Sequence, residues 1–217
     1  MHNDIENKQA IGVFDSGVGG LTVLHALQQA MPSEDFIYLG DTARVPYGTR
    51  SPETILRYSS RVAGHLLTYN IKALVIACNT ATSYALEPLQ DACQKIGVPV
   101  FGVIKPSSEV ALSQSQNKHI LVLGTEGTIQ GERYTHTLQQ MNPNVYVQGL
   151  ACPLFVPLIE EGWHTHPVTD TIAQEYFSTV KNLTIFDTAI LGCTHYPMIK
   201  ANLERLFPSI RFIDSAQ

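Results

Sequence analysis

The sequence predicts an α/β fold built on parallel sheets, and three observations support this. Short runs rich in Val, Ile and Leu alternate along the chain with segments of helical periodicity. The short runs are apolar throughout, which is typical of strands that are covered on both faces of a parallel sheet. Hydrophobic residues make up 44% of the 217 residues, enough for a sizeable core in one large domain or two small ones.

The predicted elements alternate regularly. The first helix has leucines at positions 21, 24 and 27 and is stopped by Pro32, and Pro52 lies in the first turn of the second helix. The predicted strands are AIGVF, DFIYLG, ALVIA, VPVFGV, HILVLG, NVYVQGL, TAILG and IRFID. The predicted helices span residues 19–31, 51–69, 80–95, 128–141 and 167–181, with one near residue 107 and one starting at residue 197.

Two pairs of strands end in matching patterns. ALVIACNT (73–80) and TAILGCTH (188–195) both read apolar run, small residue, cysteine, two polar residues. IGVFDS (11–16) and ILVLGT (120–125) form the second pair. Cys78 and Cys193 are 115 residues apart, and Ser16 and Thr125 are 109 residues apart. These spacings suggest a duplicated unit whose halves face each other across a cleft, since ligands bind outside the carboxyl ends of such strands.

Composition narrows the classes of function. The formal charge is −5 and no Lys/Arg-rich run occurs, so nothing indicates a nucleic-acid or anionic-membrane partner. The apolar runs are too short to span a bilayer, and the polar N-terminus differs from a signal peptide, so a cytoplasmic location is expected. Four widely spaced cysteines without a C-x-x-C pair argue against a disulfide framework and against a structural zinc site.

The glycine-rich segment DSGVGG, 15–20, follows a strand and opens a helix. It lacks the third glycine of a dinucleotide motif and the G-K-[ST] of a phosphate loop, so a nucleotide is not implied. A carboxylate inside an anion-binding loop would repel the anion. Asp15 is therefore expected to act as a base or to orient another side chain, and the alternative is a plain turn capped by Ser16.

Cys78 and Cys193 are the candidate chemical groups. Each is expected at a helix N-terminus, where a thiolate is stabilised and the thiol pKa is lowered. Taken singly, each is as well explained as a buried cysteine followed by a capping residue such as Asn79. Because the two cysteines occupy matching positions after two strands, a chemical role is favoured over a purely structural one. His195 is expected to help a thiol or to bind a carboxylate, because Cys-x-His offers too few ligands for a metal.

The remaining candidates have plain explanations. Glu160 and Glu161 look like a solvated helix end before a glycine stop, and the segment PYG at 46–48 is a turn signal. Cys93 and Cys152 are expected to lie in or near the core without a chemical role.

Five segments carry a resemblance to a known family: IGVFDSGVGGLTVL, DTARVPYG, VIACNTAT, CPLFVPLIEEG and LGCTHYP, which run from residue 11 to about residue 200. The chain resembles glutamate racemases of the cofactor-independent amino-acid racemase superfamily, and DSGVGGLTVL is closer to glutamate than to aspartate racemases. The resemblance implies two pseudo-symmetric α/β domains with the site between them, here residues 1–101 with 207–217, and residues 102–206. Family members continue past a motif like FIDSA with a segment that completes the first domain, so that domain is expected to be C-terminally truncated.

The resemblance also implies a mechanism without cofactor or metal. Cys193 takes the Cα proton from L-glutamate and Cys78 takes it from D-glutamate, and D-glutamate supplies peptidoglycan synthesis. Asp15 assists Cys78, and His195 with an auxiliary glutamate, assigned to Glu160, assists Cys193. The family is commonly dimeric, so a homodimer is an expected state. The implied substrate-binding residues are Asp15, Ser16, Tyr47, Gly48, Asn79, Thr80, Thr194 and His195.

Two alternatives stay open from the sequence. One is an aspartate racemase or a related enzyme of the superfamily. The other is a catalytically silent amino-acid-binding protein, although a pure binder has no need of two matched cysteines.

Overall fold

A computed structural model describes residues 9–215. In these residues the predicted α/β alternation is confirmed, and eight strands form two four-stranded sheets. The strands are β1 Ile11–Asp15, β2 Phe36–Gly40, β3 Ala73–Ile76, β4 Val100–Gly102, β5 His119–Gly124, β6 Tyr146–Ala151, β7 Thr188–Gly192 and β8 Arg211–Asp214.

Nine α-helices are described between the strands: α1 Leu21–Ala30, α2 Pro52–Leu67, α3 Asn79–Gln94, α4 Ile104–Gln114, α5 Glu126–Gln130, α6 Arg133–Met141, α7 Phe155–Glu160, α8 Pro167–Ser178 and α9 Lys200–Leu206. The single helix predicted over 128–141 is wrong. It is divided into α5 and α6 because Glu132 takes a left-handed φ of 50°, which breaks the helical path. The helix predicted from Pro197 begins as a short 3₁₀ helix, Tyr196–Ile199.

Both sheets are parallel and share one strand order. The first runs β2-β1-β3-β4 and the second runs β6-β5-β7-β8. The first unit, β1–β4 with α1–α3, and the second unit, β5–β8 with α4–α9, are therefore topological copies. In each copy the two central strands flank the point where the chain reverses direction across the sheet, which is where α/β sheets bind ligands.

One predicted placement is wrong. The chain was expected to return to the first domain over residues 207–217. In the structure, β8 is instead hydrogen-bonded to β7 of the second sheet. Residues 188–191 pair in register with residues 211–214. The reason is local, since β7 offers a free edge close to the end of α9 and a short connection favours neighbouring strands. Residues 216–217 lie outside the described residues.

Each sheet is covered by helices on its faces. One face of the first sheet carries a core centred on Phe14, Leu74 and Ile76, and one face of the second carries a larger core with Phe155, Phe177 and other buried apolar side chains. Beside α1 the first sheet also bears an apolar groove of about 770 Å³, with Ser215 on its wall. Among the helices of residues 9–215, none has the length and apolar character that crossing a bilayer requires.

The placement of β8 is testable through Phe212, which is 2% exposed and packs against the ring of Phe177. Phe212→Ala should lower the free energy of unfolding by about 3–5 kcal/mol, because a large buried ring is lost and a cavity remains. Urea unfolding measures the loss. Hydrogen exchange should accelerate first at the amides of β7.

Phe101→Ala is the matched control, because Phe101 lies on β4 of the first sheet with 55% of its surface exposed. It should change the free energy of unfolding by less than about 1 kcal/mol. Faster exchange in β4 of the Phe212→Ala variant, with β7 unchanged, would contradict the assignment of β8 to the second sheet.

Candidate active site

The carboxyl ends of the four central strands meet at a small closed cavity between the two units. Its volume is about 30 Å³. The residues after β1, β3, β5 and β7 all contribute to its wall, as the matched strand ends indicated. The lining residues are Ser16, Val45, Pro46, Tyr47, Gly48, Cys78, Asn79, Thr80, Thr125, Val156, Cys193, Thr194 and His195.

Four lining residues were not predicted as site residues. Val45 and Pro46 belong to the same loop as Tyr47, so the quoted DTARVPYG segment was the available signal. Thr125 follows β5 at the position that matches Ser16 after β1. Val156 lies in α7, and its available signal was the quoted segment CPLFVPLIEEG, although only the packing of α7 shows that this side chain reaches the cavity.

Cys78 caps the N-terminus of α3. Its sulfur accepts the backbone N–H of Ala81 at 3.4 Å, and its thiol donates to Ser16 Oγ at 3.4 Å. The predicted lowering of its pKa is wrong. Burial, followed by the charge of Asp15, raises the pKa of the Cys78 thiol to about 11, and the hydrogen bonds from Ser16 and Ala81 offset only part of this.

Cys193 occupies the equivalent position after β7 and is 7% exposed. Burial raises the pKa of its thiol far above the ordinary value, so the lowering predicted here is wrong as well. Negative charge on Cys78 and on Asp15 raises that pKa further, while backbone N–H groups of His195 and Tyr196 lower it. A thiolate on Cys78 therefore disfavours a second thiolate on Cys193.

His195 links Cys193 to a carboxylate. Its Nδ1 lies 3.9 Å from Cys193 Sγ, and its Nε2 lies 3.1 Å from Oε1 of Glu160. The imidazole is buried, whereas the Glu160 side chain is 42% exposed. Glu160 ends α7, and Glu161 follows it as an exposed capping residue. The structure thus brings Glu160 to His195.

Asp15 lies buried at the end of β1, behind the cavity wall. Its Oδ2 accepts the backbone N–H groups of Gly17 at 3.0 Å and Gly20 at 3.1 Å. The glycine-rich loop therefore binds the protein's own carboxylate, which explains why it is not an anion site. Oδ1 of Asp15 has no hydrogen-bond partner in the described residues, and burial raises the pKa of this carboxyl group.

Asn79 is the first residue of α3 and is 2% exposed. Its Oδ1 accepts a 2.7 Å hydrogen bond from the hydroxyl of Tyr134, a residue of the second unit. Within the described residues, its Nδ2 is buried without a partner. A buried donor of this kind costs stability until a ligand or water accepts from it.

Hydroxyl groups join the units beside Asn79. Thr80 Oγ1 lies 2.9 Å from Thr125 Oγ1 and 3.0 Å from Thr128 Oγ1. Tyr47 contributes apolar wall, because its hydroxyl is engaged in a 2.6 Å hydrogen bond to Asp41 Oδ2. Burial, followed by the bond to Asp41, raises the pKa of Tyr47, which therefore stays a neutral phenol.

Two glycines let the units approach each other. A Cβ on Gly19 would lie 2.5 Å from Thr194 Oγ1 and 2.8 Å from His195 Nδ1. A Cβ on Gly48 would lie 2.5 Å from Cβ of Thr125. The closed cavity therefore requires glycine at these positions, since such distances are far inside van der Waals contact.

The cavity wall contains no Lys or Arg, and its ionisable groups are the two thiols, His195 and the phenol of Tyr47. In residues 9–215 no group of three His, Cys, Asp or Glu side chains is arranged to hold a metal ion.

Fold and site together define a two-unit α/β protein whose closed cavity is lined by a matched pair of buried thiols. Residues 11–217 match the family described as Asp/Glu/Hydantoin racemase. The chain belongs to this family of isomerases.

Relatives in the family are similar over most of this chain. Glutamate racemase of Geobacter metallireducens is 49% identical over 210 residues, which is 96% of this chain and 76% of the relative. The structure of glutamate racemase from Thermus thermophilus, in complex with beta-chloro-D-alanine, has a TM-score of 0.84 and 42% identity, with 96% and 76% of the two chains covered. Glutamate racemase from Francisella tularensis, in complex with D-glutamate, has a TM-score of 0.86 and 37% identity, with 96% and 77% covered.

The raised pKa of Cys78 predicts its reactivity with iodoacetamide. Only the thiolate reacts, so below a pKa of about 11 the modification rate should rise about tenfold for each pH unit from pH 7 to pH 10. Digestion and mass spectrometry measure the rate at the Cys78 peptide. A rate that levels off by pH 8 would show that this thiol has a lowered pKa.

Gly19→Ala should hold the two units apart, because the new methyl group overlaps Thr194 and His195. We expect alkylation of Cys78 and Cys193 at pH 8 to accelerate at least about tenfold, since buried thiols become accessible. Gly64→Ala is the matched control, because nothing lies within 4 Å of a Cβ at this position of α2. Equal alkylation rates in the two variants would contradict the close-approach argument.

Proposed function

We propose that this protein interconverts L-glutamate and D-glutamate by proton exchange at Cα, with Cys78 and Cys193 as the two bases. The observation that carries the proposal is the pair of buried thiols at matched strand ends, both lining one cavity. The three glutamate racemases named above, at 37–49% identity, support the choice of substrate.

The unpartnered groups near the cavity suit an α-amino acid. Within residues 9–215 Asn79 Nδ2 has no partner and can donate to the α-carboxylate, and Asp15 Oδ1 has no partner and can accept from the ammonium group. Ser16, Thr80 and Thr194 add hydroxyl groups to the cavity wall, which Tyr47 and Gly48 also line. A zwitterion would satisfy groups that otherwise remain buried and unpaired.

The two thiols supply the proton arrangement that racemisation needs. One thiolate accepts the Cα proton from one face, and the opposite thiol donates a proton to the other face. Two thiolates at once are disfavoured, because negative charge on Cys78 raises the pKa of Cys193. After each turnover the thiol and thiolate have exchanged places, and exchange of one proton with solvent, lost by one cysteine and regained by the other, restores them before the next turnover in the same direction.

Each thiol has its own neighbours in this scheme. Asp15 assists Cys78, which takes the proton from D-glutamate. Cys193 takes the proton from L-glutamate with help from His195, whose far nitrogen contacts Glu160. The contact of His195 Nε2 with Glu160 Oε1 orients the imidazole so that its Nδ1 faces the thiol of Cys193.

The closed cavity is too small for the substrate. A volume of about 30 Å³ has room for roughly two water molecules. Glutamate therefore enters when the units separate, and their closure excludes water from the thiols. The Cα proton is weakly acidic, so its removal requires a site without water. Fixed hydrogen-bond donors in such a site stabilise the negative charge that develops on the substrate.

Several further statements stay predictions. They are the use of D-glutamate in peptidoglycan, a cytoplasmic location, a homodimer and the division into domains at residues 101 and 102. A preference for aspartate is tested by comparing the turnover of the two amino acids. The aspartate racemase of Picrophilus torridus, at 18% identity and a TM-score of 0.63, shares the fold with this chain.

Racemisation in deuterated water tests the reaction itself. With L-glutamate as substrate and about a tenth converted, the D-glutamate formed should carry deuterium at Cα while the remaining L-glutamate keeps its proton. The reason is that the donating thiol exchanges its proton with solvent before it protonates the opposite face. NMR and chiral chromatography measure both pools. If glutamate binds but its optical rotation stays unchanged, the protein is a catalytically silent binding protein.

The bases are tested by substitution. Cys78→Ala and Cys193→Ala should each lower kcat at least about a thousandfold in both directions, because one face of Cα loses its only base. Cys93→Ala is the control, since Cys93 is buried inside α3 and does not line the cavity. Racemisation by either single variant at near-normal rates would exclude the two-base scheme.

Glu160 and Glu161 form a natural pair of test and control. Glu160→Gln should lower kcat for L-glutamate about tenfold or more, because the charge-assisted bond to His195 is lost. Glu161→Gln should leave kcat within twofold. Initial rates from each isomer give the measurement, and equal effects of the two substitutions would contradict the assignment.

A further inference from the structure

We infer that Tyr134 is a positioning residue for the racemase site, holding the Asn79 amide so that Nδ2 faces the substrate. The inference rests on the proposed function. Tyr134 lies in α6 of the second unit, is 2% exposed and does not line the cavity. It acts through Asn79, which does line the cavity.

The contact fixes one end of the amide. The Tyr134 hydroxyl donates to Asn79 Oδ1 at 2.7 Å and lies 3.1 Å from Ser107 Oγ of α4. With Oδ1 occupied, the free end of the amide is Nδ2, a donor of two hydrogen bonds. A carboxylate can only accept, so this orientation suits the substrate and the opposite orientation would repel it.

Removal of the phenol hydroxyl leaves two orientations open to the amide. Oδ1 would then be a buried acceptor without a partner, and rotation about the last side-chain bond could exchange it with Nδ2. The hydrogen bond from the Tyr134 hydroxyl to Asn79 Oδ1, which selects the orientation of the amide, would be lost. The expected consequence is weaker binding of substrate, with the two thiols unaffected.

The hydrogen bond also crosses between the units. Asn79 follows β3 of the first sheet, whereas Tyr134 packs in the second unit against Ile190 and other core residues. Burial raises the pKa of Tyr134 well above its ordinary value, so the phenol remains a hydrogen-bond donor throughout the neutral range. The carboxylate-binding orientation of Asn79 is thus completed by the approach of the second unit.

Tyr134→Phe is the test, measured on the full chain with L-glutamate and with D-glutamate. KM should rise about tenfold for both isomers, and kcat should stay within about threefold in both directions. Asn79 binds the carboxylate that the isomers share, so the effect is the same for both. A loss in kcat for one isomer alone, or a change in KM below twofold, would overturn the inference.

Ser107→Ala is the matched control. It removes a hydroxyl from the same buried network but leaves the bond from Tyr134 to Asn79 in place. KM should stay within twofold of the unsubstituted protein. If both variants lower the melting temperature but only Tyr134→Phe raises KM, a purely structural effect is excluded. A similar rise in KM for Ser107→Ala would contradict a specific role for Tyr134.

A double-substitution cycle checks that Tyr134 acts through Asn79. In an Asn79→Ala background, Tyr134→Phe should change KM by less than twofold, because the amide it positions is absent. If Tyr134→Phe still raises KM about tenfold in the Asn79→Ala background, Tyr134 acts by another route and the inference is overturned.

A direct measurement needs neither variant nor turnover. In the unsubstituted protein, saturating glutamate should shift the side-chain amide ¹⁵N–¹H signals of Asn79 and slow their hydrogen exchange. Binding of glutamate with unchanged Asn79 signals would overturn the inference. If the signals respond but no racemisation occurs, the proposed function fails and the positioning role of Tyr134 holds.

Discussion

The close approach of the two units at Gly19 and Gly48 is the constraint on which the rest of the site depends. A side chain at either position would overlap the opposite unit, at Thr194 or at Thr125. Because backbone meets side chain directly there, the ends of the central strands enclose a cavity of only about 30 Å³. Glycine commonly allows backbone to approach a neighbouring segment closely, and here it does so at the wall of a site and not inside a core.

Burial of Cys78 and Cys193 in the cavity wall determines whether their thiols are protonated. In water a helix N-terminus favours a thiolate, but both cysteines lie where solvent is excluded, and desolvation outweighs the dipole. Burial raises the pKa of Cys78 to about 11, and negative charge on Cys78 raises the pKa of Cys193. Both thiols are therefore neutral at neutral pH. In the proposed reaction, the ammonium group of the bound amino acid is the positive charge that would stabilise one thiolate.

The shared strand order explains why the site has two similar halves. Each sheet places its two central strands at a point of chain reversal, so each unit presents one cysteine and one further polar strand end. The halves differ in what supports the thiol. Cys78 has Ser16 and the buried Asp15, whereas Cys193 has His195 and the partly exposed Glu160. The two faces of a substrate carbon would thus meet bases with different surroundings.

The sequence by itself determined the class of fold, the positions of most strands and helices, and the matched strand ends that carry Cys78 and Cys193. Periodicity and apolar runs are local properties, so they can be read without coordinates. Tertiary structure alone decided four things: the pairing of β8 with the second sheet, the break at Glu132, the direction of the thiol pKa shifts, and the contact between Tyr134 and Asn79. The contact between Tyr134 and Asn79 joins residues far apart in sequence, and the pKa shifts depend on the exclusion of water, neither of which a linear pattern records. The break at Glu132 and the pairing of β8 are more local, but a backbone φ and a choice of neighbouring strand are not encoded in apolar periodicity either.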